Sequence, residues 1–320
     1  MPLIDSAFKA PRFLRHAHLQ TVLPLLLPRR RAVWQNLERF ELPDGDFVDL
    51  DWRCRDRARL VILAHGLEGS AQAIYMRGMA GSLRAAGWDV LGWNYRGCSG
   101  VPNRLPRSYH SGESSDLRTV VAWAASWYSS IALVGFSLGG NITLKYLGEQ
   151  PPHPAVRAAV AISAPVDLAS SAAALDNRPD NRLYQRRFLH NLLGKVRAKA
   201  LLFPGRINLT RLDRIGTIRD FDEHFTAPMH GFAGADDYWA RASALPHLGR
   251  VSVPALLLNA RNDPLLAEPS FPRREALENS CLHLETPQHG GHVGFLDFAS
   301  GFQPWHEIRT VAFLKEMVGG

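Results

Sequence analysis

The chain has 320 residues, of which 46% are hydrophobic and 21% charged, as in an ordinary globular protein with one large domain or a domain with an insertion. The net charge is +7, and residues 176–220 carry the whole excess, with eleven Lys or Arg against four Asp. No aromatic-interleaved stacking motif or DNA-binding pattern accompanies these charges, so we expect no nucleic-acid partner.

Cysteine usage and the N-terminal sequence indicate where the protein resides. Cys54, Cys98 and Cys281 are far apart and odd in number, which argues against a disulfide framework or a zinc site and favours a reducing compartment. The apolar stretch 22–27 is interrupted by Pro24, is too short to span a bilayer and lacks the pattern of a signal peptide. We therefore expect a soluble, cytoplasmic protein.

Strands and helices alternate along the first half of the chain. In chain order, the pattern predicts a hairpin over 37–54, a strand over 60–66, a helix over 72–87, a strand over 88–95, a long loop over 96–112, a helix over 113–128, a strand over 131–136, a helix over 138–150 and a strand over 156–164. Several of these strands are apolar on both faces, which is typical of a mainly parallel sheet covered by helices. The predicted fold class is therefore α/β.

The alternation stops at Ala164 and resumes with a strand over 254–260, a strand over 281–287 and a closing helix over 305–318. Apolar residues at helical spacing predict a helix over 181–196 in the interval. We therefore expect a helical cap over 165–250, inserted into a core of residues 37–164 and 251–320, and an N-terminal arm over 1–36. Tyr238 and Trp239 are expected at the contact between cap and core.

The basic segment 176–220 lies within the predicted cap. Its charges have two interpretations, a solvated helical surface or a surface that attracts an anionic substrate or the anionic surface of a membrane.

The sequence "GFSLG", residues 135–139, matches the G-x-S-x-G pattern and lies between a predicted strand and a predicted helix. A serine in such a tight turn needs neighbours without bulk, which the glycines provide. The following helix directs its N-terminal N–H groups at the site. This context predicts a nucleophilic Ser137 rather than a structural glycine turn.

A nucleophilic serine needs a base, and the base needs an orienting acid. On this kind of sheet the chain order is Ser, then acid, then His. Asp263 follows the strand 254–260 and is the predicted acid, with Asp167 as the alternative. His292 follows the last strand and is the predicted base, with His289 as the alternative, because two glycines before His292 let its loop close over the serine.

The oxyanion of an acyl-transfer reaction needs two preorganised donors. The backbone N–H of Leu138, directly after the serine, is one candidate. The N–H of Leu67, in the loop "HGLEGS" after the strand 60–66, is the other.

Two further groups have structural interpretations. The sequence "NYRG", residues 94–97, is interpreted as a turn, with a substrate contact by Arg96 as the alternative. His110 and Asp116 are six positions apart and so do not form the four-spaced pair of some acyltransferases.

The ordered set "HGLEGS", "NYRGCSG", "YHSGESSDL", "GFSLGGN", "SAPVDL", "LNARNDP" and "HGGHVGF", together with "HLQT" and "FDEHFTAPMHGF", resembles the YheT-like branch of the α/β-hydrolase superfamily. The resemblance covers nearly the whole chain. It implies the hydrolase fold with a cap between strands six and seven of that fold, ester hydrolysis, and a triad of Ser137, Asp263 and His292.

These inferences predict a serine hydrolase of carboxylic esters with short to medium acyl chains, or of lipid-like esters, that needs no cofactor or metal. The alternatives are an acyltransferase or thioesterase with the same triad and a non-catalytic ligand-binding protein. The sequence leaves the oligomeric state open.

Overall fold

The computed structural model describes residues 2–27, 34–53, 58–299, 301 and 303–319. Cys54 and the end of the predicted hairpin lie outside these residues, whereas Cys98 and Cys281 are free thiols. Within the described ranges, no helix is both long enough and apolar enough to cross a membrane.

The described residues contain one sheet of nine strands. The strands are β1 (Leu3–Ile4), β2 (Asn36–Glu41), β3 (Phe47–Arg53), β4 (Arg59–Ala64), β5 (Asp89–Asn94), β6 (Ser130–Phe136), β7 (Val156–Ile162), β8 (Ala255–Leu258) and β9 (Leu282–Glu285). Their order is β1-β9-β8-β7-β6-β4-β5-β3-β2, in which the β2–β3 and β3–β5 pairs are antiparallel and the other pairs are parallel. The predicted hairpin and the mainly parallel sheet are confirmed.

The helices cover the two faces and the carboxyl edge of the sheet. Among the described residues they are α1 (Ala17–Val22), α2 (Ile74–Ala85), α3 (Ser114–Ala124), α4 (Leu138–Glu149), α5 (Leu168–Asn177), α6 (Arg182–Leu202), α7 (Ile218–Phe221), α8 (Ala227–His230), α9 (Ala235–Ala242), α10 (Arg273–Glu278) and α11 (Trp305–Val318). Helix α6 continues past the predicted end at Val196, because "RAKALL" contains good helix formers and the first proline is Pro204.

The apolar strands are buried on both faces, because consecutive side chains of a strand point to opposite sides of the sheet. In β4, Ile62 belongs to the apolar cluster on one face, whereas Val61 and Leu63 belong to the cluster on the other. The continuous apolar runs in the sequence follow from this double burial.

Helices α5 to α9 share a third apolar cluster, built from side chains between Leu168 and Ala242. The cluster contacts the rest of the molecule partly through Tyr238, whose hydroxyl accepts the Ser111 N–H at 2.9 Å, as expected. The indole N–H of Trp239 donates to Asp222 at 2.8 Å inside the same cluster, and the contact of Trp239 with the core stays a prediction. We propose residues 165–250 as the boundaries of this cap.

The loop after β5 is anchored by Arg96. Its guanidinium is buried and forms ion pairs with Asp116 at 2.6 Å, Asp44 at 2.9 Å and Asp46 at 3.0 Å. Burial opposes the charge, but the three carboxylates raise the pKa of Arg96. These contacts satisfy the guanidinium, so the structural interpretation holds and a substrate contact by Arg96 is disfavoured.

Candidate active site

Ser137 occupies the tight turn between β6 and α4. Its backbone has φ of 52° and ψ of −121°, in the left-handed region that residues with a side chain rarely adopt. The Ser137 N–H donates to the Ile162 carbonyl at 2.8 Å, and the Ser137 carbonyl accepts the Gly140 N–H at 2.9 Å. These bonds to β7 and α4 hold the strained turn.

The two outer positions of the turn have room only for glycine. A Cβ atom at Gly135 would lie 2.6 Å from the Gly140 nitrogen, and one at Gly139 would lie 2.6 Å from the His65 carbonyl oxygen. The turn is therefore packed directly against the end of β4, which brings the serine beside the loop that follows β4.

Side chains from three distant segments meet at this turn. Nε2 of His292 is 2.9 Å from Oγ of Ser137, and Nδ1 of His292 is 2.8 Å from Oδ2 of Asp263. The Asp263 carboxylate is buried and also accepts the Leu265 N–H at 2.9 Å. The imidazole is thus held with one nitrogen toward the carboxylate and the other toward the hydroxyl.

The two alternatives to these residues point elsewhere. The side chain of Asp167 caps α5 by accepting the Ser170 N–H at 2.8 Å. Nδ1 of His289 is buried and has no hydrogen-bond partner among the described residues. Of the candidates weighed from the sequence, His292 is the one that contacts Ser137, and Asp263 is the one that contacts His292.

The N-terminal arm holds the loop that carries His292, a role that the sequence did not reveal. Thr21 Oγ1 accepts the backbone N–H of His292 at 2.9 Å. The buried amide of Gln20 donates to the Leu296 carbonyl at 2.9 Å and accepts the Leu296 N–H at 2.8 Å. Gly291 has φ of 59°, and a Cβ atom there would lie 2.6 Å from the Ala17 carbonyl oxygen. The motif "HLQT" is the signal that could have pointed to this contact.

The loop after β4 is fixed by buried aromatic side chains. His65 Nδ1 donates to the Gly66 carbonyl at 2.8 Å, and Nε2 accepts the Tyr95 N–H at 3.3 Å. Burial lowers the pKa of His65 to about 3, so this imidazole is neutral and keeps one tautomer. Tyr75 accepts the Gly66 N–H at 2.9 Å, and burial raises its pKa to about 12.

Leu67 and Leu138, the two predicted oxyanion donors, line one cavity together with Ser137 and His292. Leu138 is the first residue of α4, and the first N–H groups of a helix lack intrahelical acceptors. Among the described residues, the Leu67 N–H donates no hydrogen bond. Both N–H groups are therefore available to a developing oxyanion.

Two cavities meet at Ser137. The first, of about 150 Å³, runs beneath the cap and has mostly apolar walls. Its apolar lining includes Leu168, Leu175, Phe188, Leu192, Val196, Ile218, Phe221, Phe225, Met229, Leu265 and Leu266. The second, of about 980 Å³, is lined by residues of the N-terminal arm, of the loop after β4 and of α6. Ser137 therefore borders two separate spaces.

A buried carboxylate interrupts the apolar wall of the first cavity. Asp222 accepts the Trp239 indole N–H at 2.8 Å and the Thr226 hydroxyl at 2.6 Å. Burial raises the pKa of Asp222 to about 6 despite these hydrogen bonds. Asp222 begins a short π-helical segment, Asp222–Thr226, that orients its side chain inward.

His110, Glu113 and His230 offer ligand atoms within 4.8 Å of one another, the group among the described residues that comes nearest to a metal site. Two of these three residues are already engaged, because Nδ1 of His110 accepts the Gly112 N–H at 3.1 Å and Glu113 pairs with Arg107 at 3.1 Å. Burial and surrounding cations lower the pKa of both histidines to about 3. Arg107 contributes to both shifts and is paired with Glu113, and its positive charge would repel a divalent cation, so the group fits a metal poorly.

Residues 59–299 match the family model of the alpha/beta hydrolase fold. The chain is 38% identical over 301 residues to YheT of Escherichia coli strain K12, whose name describes an esterase, with 91% of this chain and 88% of that protein covered. The chain belongs to the α/β-hydrolase family. Within it, Phospholipase ABHD3 of Bos taurus is 29% identical over 308 residues, covering 92% of this chain and 75% of that protein.

Solved structures of α/β hydrolases share the fold. An esterase from Pyrococcus furiosus superimposes with a TM-score of 0.61 at 18% identity, covering 92% of this chain and 94% of that one. The fold class and the YheT-like resemblance predicted from the sequence are confirmed. The protein is a hydrolase of the esterase and lipase type.

Proposed function

We propose that this α/β hydrolase cleaves carboxylic esters through an acyl-enzyme intermediate on Ser137. The observation that carries the proposal is the continuous chain of contacts from the Ser137 hydroxyl through the His292 imidazole to the Asp263 carboxylate, at 2.9 Å and 2.8 Å. Both distances are those of hydrogen bonds. The first lets a proton pass from Ser137 to His292, and the second fixes the tautomer of His292.

In the proposed acylation step, Oγ of Ser137 attacks the ester carbonyl carbon while its proton passes to Nε2 of His292. Asp263 orients the imidazole and stabilises the imidazolium that forms. The N–H groups of Leu67 and Leu138 stabilise the oxyanion of the tetrahedral intermediate. The intermediate breaks its bond to the alkoxy oxygen, which takes the proton from His292 and leaves as the alcohol.

Deacylation uses the same groups with water as the nucleophile. His292 accepts a proton from water as the water oxygen attacks the acyl carbon, and the Ser137 oxygen takes that proton back when the acid leaves. The reaction consumes one water per ester and needs no cofactor.

We propose that the apolar cavity beneath the cap binds a short to medium acyl chain. Apolar walls favour burial of methylene groups at roughly 0.8 kcal/mol each. The larger cavity borders the basic helix α6 and can admit a bulkier alcohol part, which keeps lipid-like esters within the proposed substrate range. The phospholipase name of the Bos taurus relative is consistent with such esters.

The Ser137→Ala variant tests this proposal. We expect kcat on p-nitrophenyl esters to fall by on the order of 10⁴- to 10⁶-fold, because no other oxygen replaces the nucleophile. A fluorophosphonate reagent should label the wild-type protein at Ser137 and leave the variant unlabelled.

Ser130→Ala is the matched control, because Ser130 lies at the opposite end of the same strand and its Oγ has no partner among the described residues. It is expected to keep wild-type turnover. Ester hydrolysis by Ser137→Ala at a rate near that of the wild type would refute the assignment.

A further inference from the structure

An ion pair joins the cap to the loop that carries Leu67. Lys195 lies on α6, and its Nζ is 3.0 Å from Oε1 of Glu68. The Glu68 side chain is only 4% exposed, so water solvates its charge poorly. Within the described part of the chain, Lys195 is the cation that pairs with this carboxylate.

The backbone at Glu68 is also constrained. Its φ is 55°, in the left-handed region that a residue with a side chain rarely adopts. The Tyr109 hydroxyl accepts the Glu68 N–H at 2.9 Å and donates to Glu68 Oε1 at 2.8 Å. The same oxygen, Oε1 of Glu68, thus accepts the Tyr109 hydroxyl and pairs with Lys195. Tyr109 therefore fixes both the backbone and the carboxylate of Glu68.

Leu67 lies between two amides that are tied to tyrosines. The Gly66 N–H donates to Tyr75 at 2.9 Å, and the Glu68 N–H donates to Tyr109 at 2.9 Å. The intervening Leu67 N–H is left without an acceptor among the described residues. The direction of the Leu67 N–H bond therefore depends on how firmly the next residue, Glu68, is held.

The charge on Lys195 serves Glu68 rather than the neighbouring thiol. Sγ of Cys98 is 3.1 Å from Nζ, but burial raises the pKa of Cys98 to about 11, so the thiol is neutral at pH 7. Burial lowers the pKa of Lys195, and the Glu68 carboxylate opposes this effect and helps to raise the pKa above its ordinary value. Lys195 is thus an ammonium that faces one carboxylate.

We propose that Lys195 is a positioning residue: through Glu68 it holds the Leu67 N–H toward the oxyanion, so the oxyanion site is complete only while α6 lies on the core. This inference rests on the proposed ester hydrolysis. It makes the cap part of the catalytic geometry as well as a wall of the substrate cavity.

The test compares Lys195→Met, Glu68→Gln and the double variant with the wild type on one p-nitrophenyl ester. Because positioning acts on the transition state, we expect each single variant to lower kcat by about 10- to 100-fold and to change KM by less than about twofold. The double variant should be no slower than the slower single variant, since both changes break one link. Lys195→Arg should recover most of the lost kcat.

A second readout separates positioning from general damage. A trifluoromethyl ketone forms a tetrahedral adduct with the serine and presents an oxyanion, whereas the carboxylic acid product does not. Lys195→Met should weaken inhibition by the ketone by about tenfold or more and leave product inhibition unchanged.

Arg197→Met is the matched control, because it removes a cation from the same helix at an exposed side chain 3.8 Å from Asp213. It should keep wild-type kcat.

Three results would overturn the inference: Lys195→Met with unchanged kcat, a loss confined to KM, or additive losses in the double variant. If Lys195→Met does not fold, Glu68→Gln and Lys195→Arg give the same comparison. Failure of the proposed function is distinct, because the wild type itself would then hydrolyse no ester and would not react with fluorophosphonate.

Discussion

Several residues around Ser137 have strained backbone conformations that hydrogen bonds hold in place. The serine itself has φ of 52°, and Ser163, Val293 and Phe295 nearby also have positive φ values. The hydroxyl of Ser163 accepts the Val293 N–H at 2.9 Å, which links the end of β7 to the loop that carries His292, here called the histidine loop. Strained positions of this kind persist only where the surroundings hold them, and each costs on the order of 1–3 kcal/mol.

Thr21 provides a test of how the arm positions the base. Thr21→Val removes the acceptor of the His292 N–H while keeping the side-chain shape, so the imidazole is held less firmly. We expect kcat to fall by about tenfold with KM nearly unchanged. Steady-state kinetics on a p-nitrophenyl ester measure this effect.

Thr21→Ser restores the hydroxyl and is expected to recover most of the activity. Equal kcat values for Thr21→Val and the wild type would show that the bond has no role in positioning His292.

Asp222 predicts a pH-dependent stability. Its folded-state pKa is raised to about 6 from 3.8, so the folded protein binds this proton more tightly than the unfolded chain. The proton on Asp222 contributes roughly 3 kcal/mol to the free energy of unfolding. This contribution is complete below about pH 3.8 and is lost as the pH rises through 6. Asp222→Asn keeps an acceptor for Trp239 and has no proton to lose in this range.

Denaturant titrations of both proteins between pH 4 and pH 8 check this prediction. The free energy of unfolding of the wild type should fall relative to that of Asp222→Asn as the pH rises. A constant difference across this range would contradict the raised pKa.

At the scale of elements, the cap and the arm are connected to each other as well as to the core. His18 of α1 is 3.0 Å from the hydroxyl of Tyr184 on α6 and 3.1 Å from the carboxylate of Asp180. The arm reaches the histidine loop through Thr21, and α6 reaches the loop after β4 through Lys195. The elements that carry the proposed base and oxyanion donor are therefore braced by segments outside the central sheet.

The cap provides a prediction about acyl-chain length. Met229 of α8 lines the apolar cavity, and a tryptophan at this position would take up part of its volume of about 150 Å³. We expect Met229→Trp to shift the preferred p-nitrophenyl ester to a shorter acyl chain, because longer chains lose apolar contact. Rates on a series from acetate to decanoate measure the shift.

Acetate serves as the internal control, since its acyl group reaches little of the cavity and its hydrolysis should be nearly unchanged. An unaltered chain-length profile would place the acyl chain elsewhere, with the larger cavity as the alternative.

At the scale of the molecule, the uneven charge distribution suggests a surface for anionic lipid. Exposed arginines on α6, such as Arg182 and Arg186, lie beside exposed apolar residues such as Leu183, which is 77% exposed. The arm adds Leu26, which is 75% exposed. Basic and apolar groups together favour attachment to an anionic membrane surface, at about 1 kcal/mol per cation.

Vesicle sedimentation tests this surface. We expect binding to phosphatidylglycerol vesicles at low salt, weaker binding at high salt, and at least tenfold weaker binding of the variant with Arg182→Glu and Arg186→Glu. Phosphatidylcholine vesicles are the uncharged control. Equal binding to both lipids, or no effect of the double charge reversal, would contradict a role of these arginines in lipid binding. They would then be part of an ordinary solvated surface.

The sequence by itself determined the α/β class, most strand and helix positions, the serine turn and the family. These features have local signals in the sequence. Apolar runs indicate strands that are buried on both faces, and the glycines flanking Ser137 indicate a turn with no room for a Cβ atom. The missed strand β1 has only two residues, Leu3–Ile4, and exists because β9 offers an edge to pair with. Two residues are too few to show the alternation of apolar and polar residues by which a strand is recognised in a sequence.

Only the tertiary structure decided which partners reach the serine and what holds them there. From the sequence, His289 and Asp167 were alternatives to His292 and Asp263, because each follows a strand at the same edge of the sheet. The contacts of Thr21 with His292 and of Lys195 with Glu68 join segments separated by 271 and 127 positions. Hydrogen bonds and ion pairs at such separations depend on how the chain packs, and no local pattern of residues encodes them.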